Sequence, residues 1–150
     1  MLSIRTILHP TDFSAASEDA FDLACSLAGD YKASVIVLHV LGPEEESSSA
    51  EYGERVAIRK AVMQRLHHLQ PPQNSLVEIF YRLEEGDPAK EILRVADETK
   101  CDLLIMGTHG RTGLGRALIG SVAETVLRHA RCPVLTGKAL PSAVSQPHQP

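Results

Sequence analysis

The sequence has no tryptophan, and aromatic residues make up only 4% of its 150 positions. That scarcity argues against the stacking platforms that hold single-stranded nucleic acid. Runs of lysine or arginine are missing too. Fifteen Lys and Arg stand against nineteen Asp and Glu, a formal charge of −4, so neither nucleic acid nor an acidic membrane is expected as the main partner. No apolar stretch reaches membrane-spanning length. Met1 to Pro10 holds a single Arg5 and no signal-type apolar core followed by a cleavage site. Cysteine is scarce: Cys25, Cys101 and Cys132 are odd in number, widely spaced and form no Cys-x-x-Cys. Such thiols fit a reducing cytosol better than a disulfide framework or a zinc site, and the expected location is cytoplasmic.

What is present is an ordinary globular composition, 43% hydrophobic and 23% charged, enough for one domain with a real core. One stretch organises the rest: Gly107-Thr108-His109-Gly110 through Gly120-Ser121. It follows Leu103-Leu104-Ile105-Met106, which reads as a buried strand, and it leads into Val122 to Ala130, which reads as a helix. A strand that gives way to a helix through glycines bares several backbone N–H groups where the helix dipole is positive, a setting suited to phosphate. Ser121 and Glu124 stand in capping-box spacing, so Ser121 is expected to cap the fourth helix, or to turn its hydroxyl toward phosphate oxygens. Arg111 and Arg116 are candidates for phosphate contact. The competing reading of the glycines is tight packing and turns alone.

Taken in order, Ile4 to His9 reads as a first strand stopped by Pro10. Ser14 caps a helix with Ala20, Leu23, Ala24, Leu27 and Ala28 at helical spacing and Gly29 as its stop. Val35 to Val40 is continuously apolar, the pattern of a strand covered on both faces, and Gly42-Pro43 ends it. Glu44 to Ser49 reads as a solvated loop. A second helix runs to about Gln70 with Ile58, Val62, Leu66 and Leu69 on one stripe, and Pro71-Pro72 terminates it. Val77, Ile79, Tyr81 and Leu83 alternate with Glu78, Phe80, Arg82 and Glu84, which predicts a half-exposed strand at a sheet edge. Asp87-Pro88 starts a helix that turns Ile92, Leu93 and Ala96 inward. Asp102 to Met106 is the fourth strand. Cys132 to Thr136 is the fifth, and Pro133 near its start points to another edge. The domain spans 1–138, and 139–150 is expected to be a disordered tail. The alternation βαβαβαβαβ predicts a doubly wound α/β domain with a parallel sheet and helices on both faces, its ligand outside the strand C-termini.

Familiar phosphate signatures do not fit. Gly110 to Arg116 has P-loop glycine spacing, but Arg116-Ala117 stands where Lys-Ser or Lys-Thr is required. Gly113-Leu114-Gly115 lacks a third glycine at Leu118 and follows the fourth strand. His9, His39 and His109 fall near strand ends without ligand spacing; packing or loop hydrogen bonds are expected over a metal or proton-transfer cluster. His67-His68 is expected to be exposed.

Gly107-x-x-Gly110, nine residues, then Gly120-Ser121 resembles the spacing of ATP-binding universal stress proteins. Ile7 to Ser14 resembles that family's opening strand and turn, and Val37 to Val40 its second strand. His109 to Gly113, Ser121 to Glu124 and His129 to Leu135 resemble its signature and final strand. The resemblance covers about residues 3 to 138. It implies a three-layer sandwich around a five-stranded parallel sheet of order 3-2-1-4-5, adenine nucleotide alpha hydrolase-like. It further implies that Asp12 contacts ribose hydroxyls, that the Val40 main chain meets the adenine edge, and that Gly107, Gly110, Gly120, Ser121 and Val122 hold phosphate and ribose. Pro10, Thr11, Met106, His109, Arg111 and Gly113 complete the expected nucleotide site. Capping near Ser14 is the competing role for Asp12. Members of the family often dimerise through the last strand, here near Val134.

The function expected from all this is an ATP- (or ADP- or AMP-) binding regulatory protein of the stress response, with Mg²⁺ on the triphosphate and at most slow hydrolysis. No catalytic residue and no protein-held metal is assigned. Two alternatives compete: a nucleotide-free dimeric adaptor of the same fold, and a phosphoacceptor receiver domain using Thr108 and Lys138. The receiver lacks support, because Asp12 stands without a second acid and Leu83-Glu84-Glu85-Gly86 offers no aspartate.

Overall fold

Two kinds of strand build the sheet: largely apolar, buried runs at its centre and alternating or short ones at its edges. The computed structural model describes residues 2–43, 45, 51–108 and 119–137. Its elements are β1 (Thr6–Pro10), α1 (Ala15–Tyr31), β2 (Ser34–Leu41), α2 (Tyr52–His68), β3 (Ile79–Glu85), α3 (Pro88–Thr99), β4 (Leu103–Gly107), α4 (Ser121–His129) and β5 (Val134–Gly137). The strands form one parallel sheet in the order β3-β2-β1-β4-β5. Both predicted edges are therefore edges, and the predicted doubly wound order holds.

Because successive side chains of a strand face opposite ways, each central strand feeds two cores. Ile7, Val35, Val37 and Ile105 pack with Ala20, Phe21, Ala24 and Ala28 of α1 and Leu66 of α2. Leu8, Leu38 and Leu104 pack with Ile92, Val95 and Ala96 of α3 and with Ala123 and Val126 of α4. Burying each such aliphatic side chain contributes roughly 1.5–3 kcal/mol. The chain therefore winds α1 and α2 over one face, crosses from β3 to β4 through α3, and reverses direction between β1 and β4. A crevice outside the strand C-termini belongs at that reversal. On the edge strand β3 the polar alternates are tied to α3, Arg82 to Glu98 and Glu84 to Arg94, each at 3.0 Å.

Several element ends differ from the sequence expectations. Pro10 does not stop β1 but completes it, opposite Leu38; the next amide, Thr11 N–H, takes up the ladder by donating to Leu38 O at 2.8 Å. Helix α1 runs through Gly29 to Tyr31, and Lys32 at φ 56 supplies the left-handed cap. Helix α2 ends at His68 rather than Gln70, and of its expected stripe only Leu66 is buried, while Ile58, Val62 and Leu69 are half-buried. The last three strands start or end one or two residues later than expected, β3 at Ile79, β4 at Gly107, β5 at Val134 through Gly137. The helix starts at Ser14 and Asp87 are as expected: Ser14 Oγ accepts from Ser17 N–H at 3.2 Å and Asp87 from Lys90 N–H at 3.0 Å. Most of the acidic loop and the whole of 138–150 lie outside the described residues.

Candidate functional site

The C-terminal ends of β1, β2 and β4 converge beside the start of α4. Pro10 ends β1, with Thr11 and Asp12 directly after it; Val40 is next to last in β2; Met106 and Gly107 end β4. Gly120 N–H donates to Thr108 O at 2.8 Å, which brings the first turn of α4 back to the end of β4. Thr108 is itself fixed, its amide and its hydroxyl both donating to Gly137 O, at 3.1 and 3.2 Å. A clasp at 108 and 120 thus closes the glycine-rich segment at its base. His109, Gly110, Arg111 and Gly113, expected site residues, lie outside the described residues, as does Arg116.

The cap of α4 corrects the sequence expectation. Gly120, not Ser121, is the N-cap; Ser121 is the first helical residue, and Glu124 N–H bonds Gly120 O. Glycine has no side chain to accept the first-turn amides, which a helix cannot satisfy internally. The N–H groups of Ser121, Val122 and Ala123 accordingly have no acceptor among the described residues. A helix whose side-chain cap is replaced by glycine leaves its positive end open to an anion.

Gly107 tells a different story. Its backbone is not in the left-handed region; a Cβ added there would lie 2.9 Å from the Ala16 carbonyl carbon and 3.0 Å from Ala16 O. The glycine is required because α1 crosses β4 at closest approach, so tight packing is its role whatever else the site does.

The β1–α1 turn is held by short-range bonds. Asp12 Oδ1 accepts from Ser14 N–H at 3.0 Å, while the capping itself is done by Ser14. The buried Thr11 Oγ1 accepts from Phe13 N–H at 3.1 Å and from Ser17 Oγ–H at 2.7 Å. Phe13 adopts φ 62, a left-handed conformation costly for a bulky residue. Its ring packs against two groups, with the Arg65 guanidinium 4.1 Å from its centroid and the His39 ring at 4.7 Å. Nothing in the local sequence marks Phe13 for this conformation. The signal lies in its partners, which come from α2 and β2.

His9 and His39 act as packed hydrogen-bonding groups, as expected. His39 Nδ1–H donates to Thr11 O at 2.7 Å, and Nε2 faces Glu45 Oε2 at 3.3 Å. His9 is fully buried; its Nδ1–H donates to Ile105 O at 2.9 Å, and Nε2 has no partner among the described residues. Burial lowers its pKa to about 4 against the smaller opposing effects of the Ile105 bond and the Asp12 charge, so the ring is neutral at pH 7. Among the described residues no group of His, Cys, Asp and Glu could hold a metal ion, and no helix is long and apolar enough to cross a membrane. His67 and His68 are exposed, each bonding a carbonyl of its own helix.

A family profile described as the universal stress protein family matches residues 3–137. Universal stress protein MJ0531 of Methanocaldococcus jannaschii is 34% identical over 139 residues, covering 89% of this chain and 82% of that one. The solved structure of hypothetical protein MJ0577, from the same organism, superposes with a TM-score of 0.81 at 29% identity, covering 93% of this chain and 99% of that one. A universal stress protein crystallised in complex with cAMP superposes with a TM-score of 0.63 at 26% identity, covering 92% and 99%.

Proposed function

Because the chain belongs to the universal stress protein family, we propose that it is a regulatory protein that binds an adenine nucleotide, ATP in preference, at the strand ends around α4. The observation that carries this reading is the glycine-capped start of α4, where three amides lack acceptors among the described residues. Phosphate oxygens would supply those acceptors in the field of the helix dipole. The half-exposed Asp12 carboxylate, held toward the rim by the Ser14 amide, can accept ribose hydroxyls. Val40 presents its main chain to the adenine edge, with Pro10, Thr11, Met106, Gly107 and Val122 around it. His109, Gly110, Arg111 and Gly113 belong to the same proposed nucleotide site. The cAMP complex of a relative sharing the fold supports a ligand of this class.

Magnesium would accompany a triphosphate, held by phosphate oxygens and water. Asp12 is the one carboxylate among the described residues of the β1, β2 and β4 turns that we assign to the site, and one of its oxygens already accepts an amide. We assign no catalytic residue, and any hydrolysis would be slow. Nucleotide binding at the start of α4 would change the surface that partners meet. The three free thiols fit a reducing compartment, and the cytoplasm is the location we propose. A homodimer formed by the open edge of β5 near Val134 completes the reading.

Calorimetry with ATP, ADP and AMP, each with Mg²⁺, tests it on the wild type and on Gly120→Val. Gly120 has φ −60 and ψ 154, a backbone conformation open to any residue, and the poorer cap costs about 1 kcal/mol; a melting curve of the variant checks that it is folded. Saturable binding by the wild type and its loss in the variant are expected. A wild type without saturable binding, or a variant of unchanged affinity, overturns the assignment and favours the nucleotide-free adaptor.

A further inference from the structure

We propose that Cys101 and Cys132, at the opposite end of the sheet from the strand C-termini, form a reversible dithiol–disulfide site oxidised by hydrogen peroxide. Their Sγ atoms lie 3.7 Å apart although the residues are 31 positions apart in sequence. The proximity is imposed by the sheet. Cys101 stands two residues before β4 and Cys132 two before β5; Leu104 pairs with Val134, and Leu104 N–H donates to Pro133 O at 3.0 Å. A disulfide of about 2.05 Å requires the sulfurs to approach by roughly 1.7 Å, within reach of side-chain rotation and of the irregular backbone around Cys132.

The two sulfurs differ in exposure, and that difference orders the chemistry. They line a surface groove with Ala96, Asp97, Lys100 and Arg131; Cys132 is half-exposed and Cys101 buried. Burial, and then the neighbouring Cys132, push the Cys101 thiol up to about 12. Cys132 therefore meets the oxidant first. Its sulfur attacks one peroxide oxygen, the O–O bond breaks, and sulfenic acid and water form. The Cys101 sulfur attacks the sulfenic sulfur, releasing a second water and leaving the disulfide. Across the two steps the thiols lose two hydrogens and two electrons to the peroxide. A small dithiol reverses the reaction by thiol–disulfide exchange.

The bond would tie the start of β4 to the start of β5 and enclose the whole segment that carries the glycines and α4. Closing a loop of that length removes about 3.7 kcal/mol of unfolded-chain entropy and predicts a rise in melting temperature of roughly 7–15 °C. Cys25 is an internal control, on the buried face of α1 and pushed up to about 11, first by burial.

The test treats the reduced full chain, without nucleotide, with hydrogen peroxide, followed by alkylation, digestion and mass spectrometry. Expected are a Cys101–Cys132 linked peptide pair, a monomer on a non-reducing gel, a raised melting temperature and full reversal by dithiothreitol. Cys132→Ser leaves Cys101 reduced, and Cys101→Ser leaves Cys132 as a sulfenic acid that dimedone traps. In the wild type, three outcomes overturn the proposal. They are Cys132 passing to sulfinic acid beside a reduced Cys101, a disulfide between chains, and both thiols surviving a dose that fully oxidises added glutathione. None of these readouts depends on whether the other end of the sheet binds a nucleotide.

Discussion

Replacing Gly107 by alanine separates the two reasons for a glycine at the end of β4. The added Cβ would stand 2.9 Å from the Ala16 carbonyl carbon, 3.0 Å from its oxygen and 3.1 Å from its Cβ. Carbon atoms in contact settle at about 3.5–4.0 Å, so the methyl is short of room by roughly half an ångström or more. The obstructing atoms belong to the backbone of α1 and cannot rotate away; the helix must move. Overpacking of this kind costs about 1–3 kcal/mol, of which about 0.4–1 kcal/mol is offset by the lower entropy of the unfolded alanine chain. Because backbone at 2.9–3.0 Å must move, the upper part of that range applies, a net loss of about 1–2.6 kcal/mol, and at about 2–4 °C per kcal/mol for a chain of this size the melting temperature should fall by roughly 2–10 °C. Urea unfolding should show a lower midpoint with an unchanged slope. The control lies next door: Gly137 pairs with Gly107 across β4 and β5, and a Cβ there meets nothing within 4 Å. Gly137→Ala should stay within about 0.5 kcal/mol of the wild type. A Gly107→Ala protein that melts within a degree of the wild type, or no lower than Gly137→Ala, would refute the packing argument.

His9 predicts a pH dependence. The unfolded chain takes up a proton on this ring near pH 6.5, whereas the folded chain refuses it until about pH 4, so the stability due to the neutral ring is complete above pH 6.5 and falls as the pH drops through that window. The loss approaches about 3 kcal/mol at its acid end; an NMR titration showing the folded ring protonated near pH 6.5 would contradict it. For the proposed dimer, Leu135 on the edge strand β5 is exposed and pairs with Ile105 of β4, its only strand partner among the described residues. Leu135→Lys should shift sedimentation from dimer to monomer with little change in stability, and a wild type that is monomeric at all concentrations would remove the proposed interface.

The residues of the central strands announced themselves because an apolar run such as Val35 to Val40 is stable only when covered on both faces, and Asp87-Pro88 starts a helix by local chemistry alone. Ends were less legible. Pro10 reads as a stop from its missing N–H, yet the parallel register lets the amide of Thr11 carry the ladder onward. Gly29 reads as a helix end, yet α1 continues to its cap at Lys32, which takes the left-handed conformation instead. Ser121 with Glu124 has the letters of a capping box, but Gly120 occupies the cap, because the bond from its amide to Thr108 O sets where the chain enters the helix.

The sequence by itself determined the alternation of strand and helix, the identity of both edges and the stretch where an anion could sit, since each follows from periodicity or from backbone chemistry within a few residues. The tertiary structure decided what depends on distant chain. It gave Gly107 a packing reason through Ala16, and it held Phe13 in a strained turn against Arg65 and His39. It also set two thiols 31 positions apart within contact. These are pair properties: they arise when the sheet fixes the register of β1, β4 and β5, and no single segment carries them.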